Sequence, residues 1–112
     1  MAFNRIKLET PFYANIFSYL ASENREGYAE MDQATLAEVQ SIPGFLGYES
    51  TGEGNRRIFI SYWQSMEAID EWRKNKIHDK AKSHGKEWYN AYHSMLVKVE
   101  SHSLWHPELL DH

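Results

Sequence analysis

The side chains best suited to chemistry are gathered in one stretch of the chain, between residues 72 and 92. It contains five that we consider together: Trp72, His78, His84, Trp88 and Tyr92. Histidine exchanges protons near neutral pH, and ligand sites are mostly apolar clefts with a few convergent polar groups. With His93 beside them, these residues predict one wall of a pocket that binds a small molecule and carries an acid–base group.

The two histidines of this stretch do not predict a metal site. His78 and His84 are six residues apart rather than three or four, and no Asp or Glu completes a recognised metal spacing. On a straight helix His78 lies on the far side from Ile69, which favours a surface or capping role. A kink at Asn75 instead turns His78 inward as an acid–base group, and the sequence leaves both interpretations open.

Trp72 and Asn15 also allow two interpretations each. Trp72 follows Met66 and Ile69 at three-residue spacing, so core packing on an apolar helix face accounts for it without a ligand. Asn15 interrupts an alternating strand, although Asn is depleted in strands. It occupies either an edge or solvent-facing position, or a position from which its amide points into a pocket.

Nucleotide and thiol cofactor chemistry lacks sequence support. The chain has no cysteine, which excludes thiol nucleophiles, disulfides and Cys-based zinc or iron–sulfur sites. It has no Gly-rich phosphate loop, and the two glycines at 52 and 54 form only a hairpin turn. We therefore predict no flavin, nicotinamide or metal cofactor.

The elements that position these residues follow from apolar periodicity. Period-two alternation predicts strands, and apolar residues at three- and four-residue spacing predict amphipathic helices. Ser65 is placed to cap the second helix, a kink is expected near Asn75 and a break at Gly85. The strands are predicted at 13–20, 44–51, 56–63 and 92–101, with helices from Tyr28 to Ile42 and from Met66 onward.

The predicted order β-α-β-β-α-β defines the fold class. It is the split βαβ or ferredoxin-like α+β arrangement, in which two helices cover one face of a four-stranded antiparallel sheet. Both faces of the strands at 13–20 and 56–63 are largely apolar or aromatic, so a monomer exposes a large apolar patch. The sequence therefore predicts a homodimer with its sheets face to face, and places the apolar tail at 103–110 against the partner.

Chain length and charge indicate the number of domains and the classes of partner that the sequence does not favour. The 112 residues predict one domain, 1–112, with a core at about 13–101, an N-terminal arm at 1–11 and a C-terminal tail at 102–112. A formal charge of −4, with interleaved signs, argues against a nucleic-acid partner. No apolar run approaches the roughly 18 residues of a membrane span. We therefore expect a soluble cytoplasmic protein without nucleic-acid or membrane partners.

Two segments, PGFLGYES and SYWQSMEAIDEWRKNKIHDKAKSHGKEWYNAY, resemble the antibiotic biosynthesis monooxygenase family of dimeric α+β barrels. They are most similar to small bacterial members with the pattern W-x-S-x-E-A-I-x-x-W-R, a His six residues after the second Trp, and a later E-W-Y-x-x-Y. The resemblance covers about residues 13 to 105. It implies a dimeric α+β barrel and places Trp72 in the pocket, because family oxygenases carry a helix Trp at the matching position.

The reaction that this resemblance implies is a monooxygenation that needs no cofactor. A small aromatic or polyphenolic substrate is deprotonated and reacts with O₂, while the protein desolvates it, stabilises its anion and positions a proton donor. The site assignment is then His78, Trp72 and Asn15 as catalytic residues, with Asn15 matching the family's catalytic Asn. The residues assigned to substrate binding are Trp72, His84, Trp88 and Tyr92.

Two alternatives remain beside this interpretation. In heme-degrading relatives an axial His lies ten residues after the helix Trp, and this chain has Lys82 there, a poor iron ligand at neutral pH. Heme binding or degradation then depends on His78 or His84 as a substitute ligand. The other alternative is a non-catalytic ligand-binding or stress-associated dimer on the same fold, since a fold does not fix a function.

Overall fold

A computed structural model of the protein describes residues 8–75 and 85–107. Four strands form one antiparallel sheet in the order β2-β3-β1-β4, and the helices lie against one of its faces. In chain order the elements are β1 (Phe12–Ala21), α1 (Tyr28–Val39), β2 (Phe45–Glu53), β3 (Arg56–Trp63), α2 (Met66–Arg73), α3 (Gly85–Trp88) and β4 (Tyr89–Val99). The predicted ferredoxin-like α+β class is confirmed, with the four-residue α3 as an addition.

The strand register decides which side chains meet on the helix-facing side of the sheet. Asn15 on β1 pairs with Ser61 on β3 and with Leu96 on β4. Because alternate residues of a strand point to the same face, the inward set includes Asn15, Phe17 and Ser61 and excludes their immediate neighbours. Two interior strands, β1 and β3, therefore supply the middle of the inner face.

Helix α2 begins where the sequence predicts and ends earlier. Ser65 caps it, since its Oγ accepts a hydrogen bond from the Ala68 amide at 3.2 Å. The amides of Lys74 and Asn75 turn back to carbonyls of the last helical turn, so the helix ends at Arg73. The predicted kink at Asn75 is thus a helix end. Gly85 is the first residue of α3, and the residues just before it, which the predicted break also involves, lie outside the described ranges.

Two other boundaries differ from the predicted ones. Helix α1 ends at Val39 because the amide of Ile42 bonds the Val39 carbonyl in a tighter, three-residue turn. Strand β4 begins at Tyr89, three residues before the predicted start, because Tyr89 pairs with Ala21 across a shift of register. Both differences depend on hydrogen bonds that a pattern of apolar residues does not contain.

The core lies between α2, the end of α1 and one end of the sheet. Its buried members are Val39, Trp63, Ala68, Ile69 and Trp72. Gly44 allows α2 to approach this closely, since a Cβ at that position would lie 2.8 Å from the Ala68 Cβ and the backbone has φ +92°. Trp63 is 2% exposed and is the best-buried side chain described.

None of the helices in residues 8–75 and 85–107 covers the outer face of the sheet. Its side chains are mostly aliphatic, and Leu20 and Met95 are 39% and 38% exposed there. The other aliphatic residues of this face are Ile16, Ile58, Ile60, Val97 and Val99. This is the surface for which the sequence predicts a second subunit.

The start of the tail runs back toward the beginning of β1. His102 Nε2 lies 2.6 Å from the Leu8 carbonyl oxygen, and its ring meets the Phe12 ring edge to face at 5.0 Å. Farther along, Trp105 is 67% exposed. No helix in the described ranges has the length and apolar character needed to cross a membrane.

Candidate functional site

A cavity of about 470 Å³ separates α1 from the inner face of the sheet. Its floor is formed by inward side chains of β1, β3 and β4, its roof by α1, and its closed end by α2. The size lies within the range of small-molecule sites, roughly 300 to 1,000 Å³. Helix α1 reaches the core through Val39 at its end and the sheet through Tyr28 at its start, and the cavity lies beneath the turns between them.

A short polar strip crosses the floor of the cavity. The Asn15 side-chain amide donates to the Met95 carbonyl oxygen at 2.9 Å and to Ser94 Oγ at 3.1 Å. Ser61 is 7% exposed, and its Oγ accepts a hydrogen bond from Trp63 Nε1 at 2.9 Å. Because both N–H groups of Asn15 are directed at β4, its amide oxygen remains as the atom that can accept a hydrogen bond from a ligand.

Aromatic rings form the end of the cavity next to α3. Tyr28 meets Trp88 edge to face at 5.4 Å, and Tyr19 meets Tyr89 in the same way at 4.9 Å. Arg25 binds this end together: its guanidinium lies 3.7 Å from the centre of the Tyr28 ring and donates to the Trp88 carbonyl at 2.6 Å. The rings are therefore held in place before any ligand enters.

Burial keeps the tyrosines of this end protonated. Loss of hydration, with smaller contributions from the neighbouring Tyr19, raises the pKa of Tyr28 well above its ordinary value. Loss of hydration also raises the pKa of Tyr89 to about 12. Both side chains are consequently neutral phenols at physiological pH and act as hydrogen-bond partners, not as bases.

One carboxyl group lines the same cavity. Asp32 stands on α1 one turn after Tyr28, at the rim where the residue keeps contact with solvent. Loss of hydration raises the pKa of Asp32, and the positive charge of Arg25 opposes that rise. Asp32 is the acidic side chain that this cavity places beside its aromatic rings.

The structure brings four of the sequence-predicted site residues to the cavity. Trp72 is 8% exposed and belongs to both the core and the cavity wall, and its role toward a ligand stays a prediction. Asn15 lies on an interior strand and faces the cavity, which excludes the edge position. Trp88 is buried at the aromatic end, and Tyr92 lines the rim while 61% exposed.

The three histidines predicted near the site have different outcomes. His78 and His84 lie outside the described residues, so their predicted roles stay predictions. The placement of His93 in the pocket wall is wrong: it pairs with Ser18 on the outer face, whereas its neighbours Tyr92 and Ser94 line the cavity. Strand alternation turns each successive residue to the opposite side, and His93 has the outward parity.

Tyr28, Asp32 and Ser61 line the cavity and are not among the site residues predicted from the sequence. The predicted helix begins at Tyr28, and Asp32 follows it by four residues, which places both on the same helix face. An acidic residue within an otherwise apolar arc was the available signal. In the described ranges no cluster of three or more His, Asp or Glu side chains is arranged to hold a metal ion.

Comparison with known proteins now adds to this geometry. The sequence model of the antibiotic biosynthesis monooxygenase family matches residues 11–83. The chain belongs to this family. Within it, the uncharacterized protein YqjZ of Bacillus subtilis (strain 168) is 42% identical over 99 residues, covering 87% of each chain. The family predicted from the sequence is thus confirmed.

Solved structures of this fold are similar in shape and distant in sequence. SnoaB of Streptomyces nogalater, a cofactor-independent oxygenase, superposes with a TM-score of 0.69 at 13% identity, covering 88% of this chain and all of its own. Rv0793 of Mycobacterium tuberculosis gives a TM-score of 0.67 at 14% identity, covering 83% of this chain and 97% of its own. At such identities the likeness establishes the fold of this monooxygenase-family chain.

Proposed function

We propose that this chain is a cofactor-independent monooxygenase that oxidises a small aromatic or polyphenolic molecule with O₂. The observation that carries the proposal is the cavity of about 470 Å³, with aromatic rings at one end and a polar strip on its floor. Membership of the family, and the cofactor-independent chemistry of the structurally similar SnoaB, support the same class of reaction.

The proposed chemistry needs no group beyond the protein, the substrate and O₂. A phenol loses its proton, the phenolate transfers an electron to O₂, and the radical pair combines to form a carbon–oxygen bond in a hydroperoxide. Loss of water from the hydroperoxide leaves a quinone, so one oxygen atom enters the product and the other leaves as water. A water-poor cavity favours each step because it fixes the ring beside O₂ and keeps solvent from quenching the intermediates.

The roles of individual residues follow the same proposal. Trp72, Trp88 and Tyr92 hold the substrate ring, and Asn15 orients a hydroxyl group through its amide oxygen. His78 as a catalytic residue and His84 as a binding residue complete the set predicted from sequence. We further propose that residues 1–112 act as one domain in the cytoplasm, without nucleic-acid or membrane partners.

Oxygen uptake with isotope labelling tests the proposed reaction. With a panel of phenols and hydroquinones that fit the cavity, we expect the protein to consume O₂ and to place one atom of ¹⁸O from ¹⁸O₂ in a quinone product. Catalase, superoxide dismutase and a chelator should leave the rate unchanged, because the reaction uses neither free superoxide nor a metal. Uptake that disappears with these additions would contradict the proposal.

Heme titration distinguishes the proposed monooxygenase from the heme-binding alternative. Lys82 occupies the position of the axial His of heme-degrading relatives, and we expect no saturable Soret shift when heme is added. A saturable one-to-one shift would favour the heme-binding hypothesis. If both O₂ uptake and the Soret shift are absent, the non-catalytic ligand-binding or stress-associated dimer becomes the preferred hypothesis.

We also propose a homodimer with the outer sheet faces in contact. The exposed aliphatic face supports it, because apolar surface of this kind is covered in most soluble proteins. Light scattering at micromolar concentration should give twice the 13.2 kDa chain mass. Ile60→Lys places a charge in this face and should give the monomer mass, while Gln33→Lys, on the exposed side of α1, should not. A monomeric wild-type protein would contradict the proposal.

A further inference from the structure

The carboxylate of Asp32 lies in an unusual position for an acidic residue. It lines the aromatic cavity from α1, and no hydrogen bond or ion pair joins it to any residue in the ranges 8–75 and 85–107. Asp32 is exposed at the cavity rim, so its carboxylate can be reached both by solvent and by a ligand in the cavity. In the described ranges the chain gives this carboxylate no hydrogen-bond partner of its own, which leaves its oxygens available to a ligand.

The charged and titratable groups around Asp32 come from every layer of the cavity. They are Arg25 in the loop before α1, Tyr28 on α1 itself, Tyr19 on β1, Arg73 on α2, and Tyr89 and Tyr92 on β4. Both arginines have other partners: Arg25 packs on Tyr28 and bonds Trp88, and Arg73 lies 3.6 Å from Asp70. Tyr28 and Tyr89 are neutral, and Arg25 stabilises the Asp32 carboxylate through its nearby charge without forming an ion pair with it.

Partial loss of hydration at the cavity rim disfavours the ionised form of Asp32 in the folded chain, and the nearby charge of Arg25 offsets part of this effect. Loss of hydration is the main cause of its raised pKa, which means that folding favours the protonated form. The loss of stability is absent below the ordinary pKa of the group and develops as pH rises through the raised folded-state pKa. Residues kept at a loss of stability, in a cavity with perturbed titration, are concentrated at functional sites.

We propose that Asp32 binds the hydroxyl group of an aromatic ligand in this cavity and accepts its proton. The ligand class is then a phenol with a free hydroxyl, and ethers of the same ring are rejected. The phenol O–H bond breaks, the proton passes to a carboxylate oxygen of Asp32, and the electron pair stays on the phenolate oxygen. As a step of turnover this rests on the proposed monooxygenase function, whereas the binding contact stands without it.

Geometry and titration both suit Asp32 to this role. Asp32 lines the cavity from the helix layer and Asn15 lines it from the sheet floor, so each layer offers a ligand in the cavity one acceptor group. A base is most effective when its pKa approaches the working pH, and loss of hydration moves the pKa of Asp32 in that direction. The proton-accepting role that sequence analysis gave to His78 passes to Asp32.

Binding of 2-naphthol and its methyl ether tests the contact by calorimetry, independently of turnover. Wild-type protein should bind 2-naphthol at least about tenfold more tightly, because the ether leaves the carboxylate unpaired. Asp32→Leu should remove that preference. Glu30→Gln, an exposed acidic residue on the same helix, serves as the charge control and should keep it. No preference in the wild type, or a preference that survives Asp32→Leu, would overturn the proposal.

The pH dependence of thermal unfolding tests whether the ionised carboxylate of Asp32 is unfavourable in the folded protein. Asp32→Asn should raise Tm at pH 8, and the difference should shrink toward zero below about pH 4, where the carboxyl group is protonated in both states. Glu30→Gln should lower Tm slightly, since it removes a negative charge from the first turn of α1. A lower Tm for Asp32→Asn at pH 8 would give the carboxylate a structural role and overturn the proposal.

Turnover measurements supply the last test, and they distinguish failure of the proton-transfer role of Asp32 from failure of the monooxygenase proposal. If the wild type oxygenates phenols, Asp32→Asn should lower kcat by about 10²-fold or more and abolish the acidic limb of the pH profile. An unchanged profile in Asp32→Asn, with the limb lost in His78→Ala instead, would overturn the proton-transfer role of Asp32. A wild type that binds naphthol selectively without turnover would reject the monooxygenase proposal and support the Asp32 contact.

Discussion

Trp63→Ala is expected to lower the free energy of unfolding by about 3 to 5 kcal/mol, the usual range for removing a buried aromatic side chain. Trp63 is 2% exposed and packs with the core residues of α2 and with Phe45, whose ring lies 5.2 Å away. Removing it leaves a cavity and also leaves Ser61 Oγ without the N–H that it accepts. Urea unfolding followed by far-UV circular dichroism measures the change.

Trp105→Ala is the matched control for this prediction. Its ring is 67% exposed, so the same change of residue should alter stability by no more than about 0.5 kcal/mol. Equal losses for the two variants would contradict the core assignment of Trp63 and indicate that Trp105 is covered by another subunit. That second result would agree with the sequence-based placement of the tail against the partner.

The fold was predictable because it depends on local periodicity. The alternation along β3 and the Ser65 cap of α2 each depend on a few consecutive residues, and the structure has both features. The start of β4 differs from the predicted one because it depends on a partner that is distant in the sequence. Tyr89 joins β4 because Ala21 pairs with it across a register shift, and no pattern near Tyr89 contains that information.

The candidate site was only partly predictable because its residues come from different layers of the fold, and the packing between layers cannot be read from local sequence patterns. The sequence identified Trp72 and Asn15 by residue type and left their orientation open. Strand register turns Asn15 toward the cavity, and the packing of α2 in the core places Trp72 in its wall. Apolar spacing places Tyr28 on the inner face of α1 but does not distinguish a packed contact from a cavity wall. Whether α1 touches the sheet or stands off it depends on the volumes of many side chains together, and so Asp32 went unnoticed.

Asn15→Asp is expected to lower the free energy of unfolding by about 2 to 4 kcal/mol near pH 8, since it puts a partly buried charge beside a carbonyl. In the native chain the Asn15 amide donates to the Met95 carbonyl oxygen at 2.9 Å and to Ser94 Oγ at 3.1 Å. A carboxylate at position 15 has no proton to donate and faces the Met95 oxygen directly. The Asn15→Asp variant folds less well when its new carboxyl group is ionised, so the pKa of that group is raised in the folded state. The stability of the variant therefore recovers as the pH falls through this raised pKa.

Asn90→Asp is the matched control, because Asn90 is exposed on β4 and undergoes the same change of charge. It should alter stability by no more than about 0.5 kcal/mol at either pH. Urea unfolding at pH 8 and pH 4 compares the two variants, and the Asn15 variant alone should approach wild-type stability at the lower pH. An Asn15 variant as stable as the wild type at pH 8 would mean that the amide does not bond Met95. In that case its N–H groups, and not its oxygen, would be free for a ligand on the cavity floor.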